Sequence, residues 1–254
     1  MNCYQCQETM GGRGCIRERV CGKKADTAAL QDLLIRTAGG LGALATRLRK
    51  EKKEVPDEVN RQFREALCAT MTNTCFDAEA VKARIEAVQA LCLQLLPQAE
   101  NRDELPETVC WDGSPDTYAE EAQKAEPQPV DGQDIRSFRA MIICVVKGIA
   151  SMLVTAADLG EEDPDADIFI QRALAQTLDD KLTEGNLLAV VMESGRYSVR
   201  AMDLVNRAKA NAFGTPEKTE VTGAAGERPG ILVTGTGIQD LFLLLEQTKA
   251  PFNT

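Results

Sequence analysis

Apolar residues recur at three- and four-residue spacing through most of the chain, and this spacing predicts a mainly α-helical fold. The first half contains three such segments, whose start signals are Asp26 or Thr27, the pair Pro56-Asp57, and Asp77. The charged run RLRKEKKE ends the first helix, and Pro97 ends the third. We therefore predict a three-helix unit in this part of the chain.

A second helical set follows, with predicted helices at about 134–158, about 165–179 and about 184–212. Between the two sets, residues 98–132 carry several prolines among acidic side chains and show little periodicity. Such a segment is typical of a long surface connection, and we predict one here.

The periodicity changes again near the C-terminus. The stretch RPGILVTGTGIQDLFLLLEQT, at 228–248, predicts a turn, a short apolar strand at 231–233, a Gly-Thr-Gly loop and an amphipathic helix. These make one β-loop-α unit of an α/β sheet. A lone strand cannot form a sheet, so we expect a unit that is cut short at Thr254, with its strand paired by another chain or frayed.

The N-terminal stretch MNCYQCQETMGGRGCIRERVCGKK has the strongest chemical signal in the sequence. It places Cys3, Cys6, Cys15 and Cys21 within nineteen residues, in the spacing C-x2-C-x8-C-x5-C. Glycines in the intervening loop allow the chain to fold tightly around an inorganic core. The basic residues between 13 and 24 would compensate the formal charge of about −2 on a [4Fe-4S] cluster that is held by four thiolates.

Two other interpretations of these cysteines remain open from the residues alone. A structural zinc site is chemically possible, although zinc ribbons usually pair two short Cys-x-x-Cys knuckles, and this spacing has only one. The thiols could also be free or disulfide-bonded. The other cysteines are scattered, and we interpret them as small apolar side chains: Cys68, Cys75, Cys92, Cys110 and Cys144.

Composition narrows the function further. The net charge of −10 argues against nucleic acid or an anionic membrane as a partner, and no transmembrane helix is expected. The N-terminus has no apolar signal-peptide core, so we expect a cytoplasmic protein. The chain contains no His, which excludes His-based catalysis and most catalytic zinc sites.

The N-terminal stretch through ADTAALQDLLI resembles the hybrid cluster protein (prismane, hydroxylamine reductase) family. The resemblance continues through VKGIA at 146–150, FGTPEKTEV at 213–221 and RPGILVTG at 228–235. It implies a cysteine-rich [4Fe-4S] loop over 1–25 whose ligands are Cys3, Cys6, Cys15 and Cys21. It also implies two three-helix bundles, at 26–97 and 133–214, joined by the 98–132 connection and followed by the start of a Rossmann-like domain at 215–254.

One departure from the family changes the expected activity. The family reduces hydroxylamine or nitric oxide at a second, hybrid iron–sulfur–oxygen cluster, and one ligand of that cluster is a His that follows the GILxSG strand. Here Thr236 stands in that loop, so we expect the hybrid cluster to be absent from this chain.

Three hypotheses about function follow from the sequence. One is an oxidoreductase of the hybrid cluster type, with this chain holding the electron-entry cluster and served by an electron donor protein. A second chain would then complete the α/β domains. The alternative is a stand-alone [4Fe-4S] electron-transfer module, and a zinc-stabilised helical interaction domain is a remoter third. In each case we predict that the isolated chain does not reduce hydroxylamine.

Overall fold

The computed structural model describes residues 3, 5–6, 14–15, 21–71, 74–125, 132–224, 230–235 and 237–249. The chain divides into two units, Met1–Thr215 and Pro216–Thr254. Eight α-helices lie in the described residues: α1 (Ala25–Lys50), α2 (Asp57–Ala69), α3 (Ala78–Leu95), α4 (Tyr118–Ala125), α5 (Gln133–Asp158), α6 (Pro164–Gln176), α7 (Glu184–Phe213) and α8 (Ile238–Lys249). The prediction of a mainly helical protein is confirmed.

The helices of the first unit share one hydrophobic core. Helix α1 packs against α2, α3, α4 and α6, and α5 packs against α2, α6 and α7. The apolar stripes that the spacing predicted face this core, with Leu34, Leu41 and Leu44 of α1 and Ile142 and Ile149 of α5 fully buried. The two helical sets are thus in direct contact, through the α1–α6 and α2–α5 pairs.

A glycine allows the close packing of α1 on α6. A Cβ at Gly42 would lie 2.5 Å from the carbonyl oxygen of Gln171, a distance that real Cβ atoms do not tolerate. Because the atom in the way belongs to the backbone of α6, a side chain at this position would push the two helices apart.

A buried ion pair also joins the two helical sets. Arg64 of α2 donates from Nη1 to Oδ2 of Asp167 in α6 at 3.0 Å, and from Nη2 to Glu162 at 2.9 Å. Asp167 is only 2% exposed, and its Oδ1 has no hydrogen-bond partner. Burial raises the pKa of Asp167 to about 7, and the charge of Arg64 opposes this only in part.

Two details of the first unit differ from the predictions, and one agrees. Helix α1 begins at Ala25, so Asp26 lies in the first turn and accepts from the Thr27 amide, and neither residue is the N-cap. Asp77 does cap α3, by accepting from the amide of Glu79. Helix α6 ends at Gln176, three residues before its predicted end.

The 98–132 segment is not simply a surface connection. It contains α4 and a 3₁₀ turn at Glu107–Val109 that both pack on α1, and Val109, Tyr118 and Ala122 are buried in the core. The Tyr118 hydroxyl donates to Gln89 of α3 at 3.1 Å, which satisfies its polar end. These scattered apolar side chains lie in a short turn and a short helix, neither of which is long enough to show a helical period.

Helix α5 is long and apolar enough to cross a membrane by length and composition alone. Its apolar side chains have another explanation, since Ile142, Val146, Ile149 and Leu153 are buried against neighbouring helices of the first unit. These buried positions are those of a core helix, which passes the same test of length and composition.

The second unit contains α8, which coincides with the predicted amphipathic helix. Residues 230–235 form no strand, so the predicted strand at 231–233 is absent from the described part of this unit. Ile231 and Leu232 are 80% and 90% exposed, which is the condition of a strand segment without a pairing neighbour.

Candidate metal centre

Two of the four clustered cysteines lie side by side. Cys3 and Cys15 form an isolated antiparallel bridge, in which the Cys3 amide donates to the Cys15 carbonyl at 3.1 Å and the Cys15 amide donates back at 2.8 Å. Both cysteines are buried and pack on Ala28 in the first turn of α1. Gly14, with φ of 86°, precedes Cys15 in the left-handed conformation that glycine adopts most readily.

The other two cysteines lie nearer the surface. Cys6 and Cys21 are half-buried, and all four thiols are free. Within the described residues, no group of three or more His, Cys, Asp or Glu side chains is arranged to hold a metal ion. The structure thus brings Cys3 and Cys15 together, and the assignment of all four cysteines to one centre stays a prediction.

A set of polar contacts attaches this cysteine segment to α1. Gln5 donates from Nε2 to Oδ1 of Asp32 at 2.6 Å and to the carbonyl of Ala28 at 3.2 Å. Lys23 donates from Nζ to Oε1 of Gln5 at 2.8 Å, and its side chain is almost fully buried. One glutamine therefore links the loop, the lysine that precedes α1 and the second turn of that helix.

The electrostatics around Cys3 are mixed. Burial raises the pKa of its thiol, while a hydrogen bond with the backbone of Gln5 and the positive charge of Lys23 act in the opposite direction. Binding of a metal requires the thiolate, so these two contacts favour the form of Cys3 that can act as a ligand. Among the predicted compensating cations, Arg13, Arg17 and Arg19 lie outside the described residues.

A second buried cation approaches from α5 and was missed from the sequence. Lys147 is 2% exposed, and its charge interacts with those of Cys144, Lys23, Asp32 and Cys3. Burial lowers its pKa to about 8. The sequence contained one indication of this position, a lysine among the apolar residues of α5, beside Val146 and near Ile149.

The remaining cysteines do not join the segment within the described residues. Cys92 is buried, and burial raises the pKa of its thiol to about 12, as expected for a small apolar side chain. Cys144, predicted on or beside an apolar helix face, is exposed instead, and so is Cys110. The loop residue Thr236, on which the expected absence of the hybrid cluster depends, lies outside the described residues.

The donor set fits a thiolate-ligated cluster in its chemistry. It consists of sulfur donors from one short segment. The charges of two buried ammonium groups, Lys23 and Lys147, act on Cys3, together with the carboxylate of Asp32. This combination suits a group that is both sulfur-ligated and anionic.

Comparison with known proteins places the chain in a family context. Residues 1–253 match the model of the Prismane/CO dehydrogenase family. The chain is 39% identical to the hydroxylamine reductase of Desulfovibrio desulfuricans, over 98% of this chain and 46% of the relative. The corresponding enzymes of Acetivibrio thermocellus and Porphyromonas gingivalis are 38% and 36% identical over the same shares. The chain thus spans about half the length of these curated relatives.

Proposed function

The chain belongs to the Prismane/CO dehydrogenase family, and on this premise we propose that it is the electron-entry part of a hydroxylamine-reductase-type oxidoreductase. Cys3, Cys6, Cys15 and Cys21 would hold one [4Fe-4S] cluster. The observation that carries this proposal is the bridge between Cys3 and Cys15. It brings two cysteines that are well separated in the sequence to one buried place on α1.

When bound, such a cluster supplies one-electron transfer. The residues of this chain hold and shield the site. Gln5 fixes the segment to α1 through Asp32, Ala28 covers the two buried thiols, and Lys23 places a positive charge beside Cys3. Burial of Cys3 and Cys15 keeps water from these two ligands, and the adjacent cation favours the thiolate form of Cys3.

Reduction of hydroxylamine requires a metal with an open coordination position. A cluster held by four thiolates has all its positions filled by protein, so it accepts electrons without binding this substrate. The 254 residues contain no His that could act as the family's hybrid-cluster ligand. We infer that these residues on their own transfer electrons and do not reduce hydroxylamine, and that the hybrid cluster is absent from them.

The partners that we propose are an electron donor protein and a chain that completes the α/β structure after residue 215. The exposure of Ile231, Leu232 and Val233 in the second unit supports the latter. The same observation supports the alternative function, a stand-alone [4Fe-4S] module that passes electrons to a docked protein. The clustered cysteines, which are typical of a reducing compartment, favour the cytoplasm, and the charge of −10 disfavours nucleic acid.

The test combines cluster reduction with turnover. Anaerobically purified protein should be reduced by dithionite, with a paramagnetic signal of a one-electron-reduced cluster. It should reduce hydroxylamine no faster than free iron–sulfur material. Cys15→Ser should abolish the signal, whereas Cys110→Ser, at an exposed cysteine, should preserve it. Sustained hydroxylamine reduction that is lost on Cys15→Ala would contradict the proposal.

A further inference from the structure

Helix α5 carries one lysine in a stripe of otherwise apolar buried positions. Lys147 is 2% exposed and ranks among the largest fully buried side chains of the described residues. Val146, Ala150 and Leu153 of the same helix are all buried in the hydrophobic core. A lysine at such a position requires an explanation, because buried ammonium groups are normally paired.

Lys147 has no such pairing in the described part of the chain. Its Nζ is buried without a hydrogen-bond partner, whereas Nζ of the equally buried Lys23 donates to Gln5 at 2.8 Å. Burial of an unpaired ammonium is unfavourable, and burial therefore lowers the pKa of Lys147 to about 8. An apolar side chain of similar length, such as methionine, would avoid the cost.

The surroundings of Lys147 indicate which kind of group would compensate its positive charge. Its charge interacts with those of Cys144, Asp32 and Cys3, which favour the ammonium, and with that of Lys23, which disfavours it. Cys144, one turn earlier on α5, is exposed. The charges of two buried lysines from different parts of the chain therefore act on Cys3, and Asp32 already accepts a hydrogen bond from Gln5. An additional anion at the thiols would balance this local positive charge.

We propose that Lys147 is a positioning residue for the cluster that the cysteines hold. The buried ammonium of Lys147 compensates the negative charge of this cluster. The inference rests on the proposed function, since it assumes that the cluster is present. Four thiolates and an oxidised [4Fe-4S] core carry a formal charge of about −2, and uptake of one electron makes it more negative. A fixed cation beside the cluster stabilises the reduced form more than the oxidised form, so Lys147 raises the reduction potential.

The experiment compares Lys147→Met with Lys209→Met, which removes the same charge from an exposed position on α7. Anaerobic redox titration of the purified holoprotein, followed by paramagnetic resonance, gives the midpoint potential of each. Lys147→Met should lower the ratio of reduced to oxidised cluster at a fixed potential by about tenfold, or about 59 mV for one electron. Lys209→Met should leave the ratio unchanged.

Thermal unfolding of the cluster-free protein supplies a second readout. Without the cluster, Lys147→Met removes an unpaired buried charge, so its melting temperature should equal or exceed that of the unsubstituted protein. A folded Lys147→Met protein that no longer retains iron would also support the proposal, because it would show that the cluster requires this cation.

Failure of the proposed function and failure of this inference give different experimental results. An unsubstituted protein that binds no iron would overturn the proposed function and this inference together. A Lys147→Met protein with normal iron and an unchanged potential would overturn this inference alone. A cluster-free Lys147→Met protein that unfolds at a lower temperature would also overturn it, because the ammonium would then stabilise the fold without any cluster.

Discussion

The amides of Cys3 and Cys15 each donate a hydrogen bond to the other residue's carbonyl, so these two cysteines face each other as one hydrogen-bonded antiparallel pair. In such a pair the Cα atoms lie about 5.5 Å apart. That separation brings both thiols to one place before any ligand is present, and it lies within the range that a disulfide bridges.

Oxidation of the cluster-free protein should therefore join Cys3 to Cys15. With diamide as the oxidant, the two thiols lose their protons and electrons to the reagent and form one bond between their sulfur atoms. Peptide mapping by mass spectrometry should identify this linkage ahead of all others. A dominant Cys6–Cys21 linkage would show that the Cys3–Cys15 pair does not persist in solution, and the intact holoprotein should resist the reagent.

Gln5 should control how firmly the cysteine segment is held. Gln5→Ala removes the hydrogen bonds to Asp32, Ala28 and Lys23, so the segment should detach from α1 more often. Iron release from the holoprotein to a chelator should become several-fold faster. Gln62→Ala is the matched control. Gln62 is far from the cysteine segment in the sequence, and in the described part of the chain it donates a hydrogen bond to Glu58. Equal release rates for both variants would contradict the proposed role of Gln5.

The contact of α1 with α6 should depend on Gly42. Gly42→Ala places a Cβ 2.5 Å from the backbone of α6, and we expect a loss of about 1–3 kcal/mol in the free energy of unfolding. Gly195→Ala on α7 is the control, because no atom lies within 4 Å of its Cβ position. It should stabilise the protein by about 0.4–1 kcal/mol. Chemical denaturation measures both, and equal stabilities would contradict the close packing.

The buried carboxyl of Asp167 should give a pH dependence to stability. Its pKa rises from 3.8 to about 7 because of burial, so the folded state binds the proton more tightly than the unfolded state. The stability that this group contributes is therefore present below about pH 4 and is lost as the pH rises through about 7.

Asp167→Asn isolates this effect, because the amide does not titrate. Unfolding experiments at about pH 4.5 and about pH 7.5 give the free energy of unfolding of the unsubstituted protein relative to Asp167→Asn. This difference should be smaller at the higher pH. Asp203→Asn, at an exposed carboxylate, should show no such trend. A difference that rises with pH would mean that the pairing with Arg64 outweighs burial.

Periodicity predicted the long helices well because each buries one apolar stripe. It missed α4, since Tyr118 and Ala122 are two core side chains in an eight-residue helix without a visible period. The predicted strand at 231–233 depends on a partner that local sequence does not supply.

The candidate site was predictable where its residues are neighbours in sequence. The spacing of the cysteines identified the segment, whereas the contact of Lys147 with its surroundings depends on how α5 packs. A lysine inside an apolar stripe shows only that the position is unusual. The electrostatic interaction of Lys147 with Cys3 depends on tertiary structure, and so does the hydrogen bond from Gln5 to Asp32 on α1.

The most direct test of the account is the metal and sulfide content of protein purified without oxygen. Four thiolate ligands that hold a [4Fe-4S] cluster predict about four iron and about four acid-labile sulfide per chain. Replacement of Cys3, Cys6, Cys15 or Cys21 by Ser should lower both together, and Cys144→Ser should lower neither. Stoichiometric zinc with no labile sulfide would contradict the account.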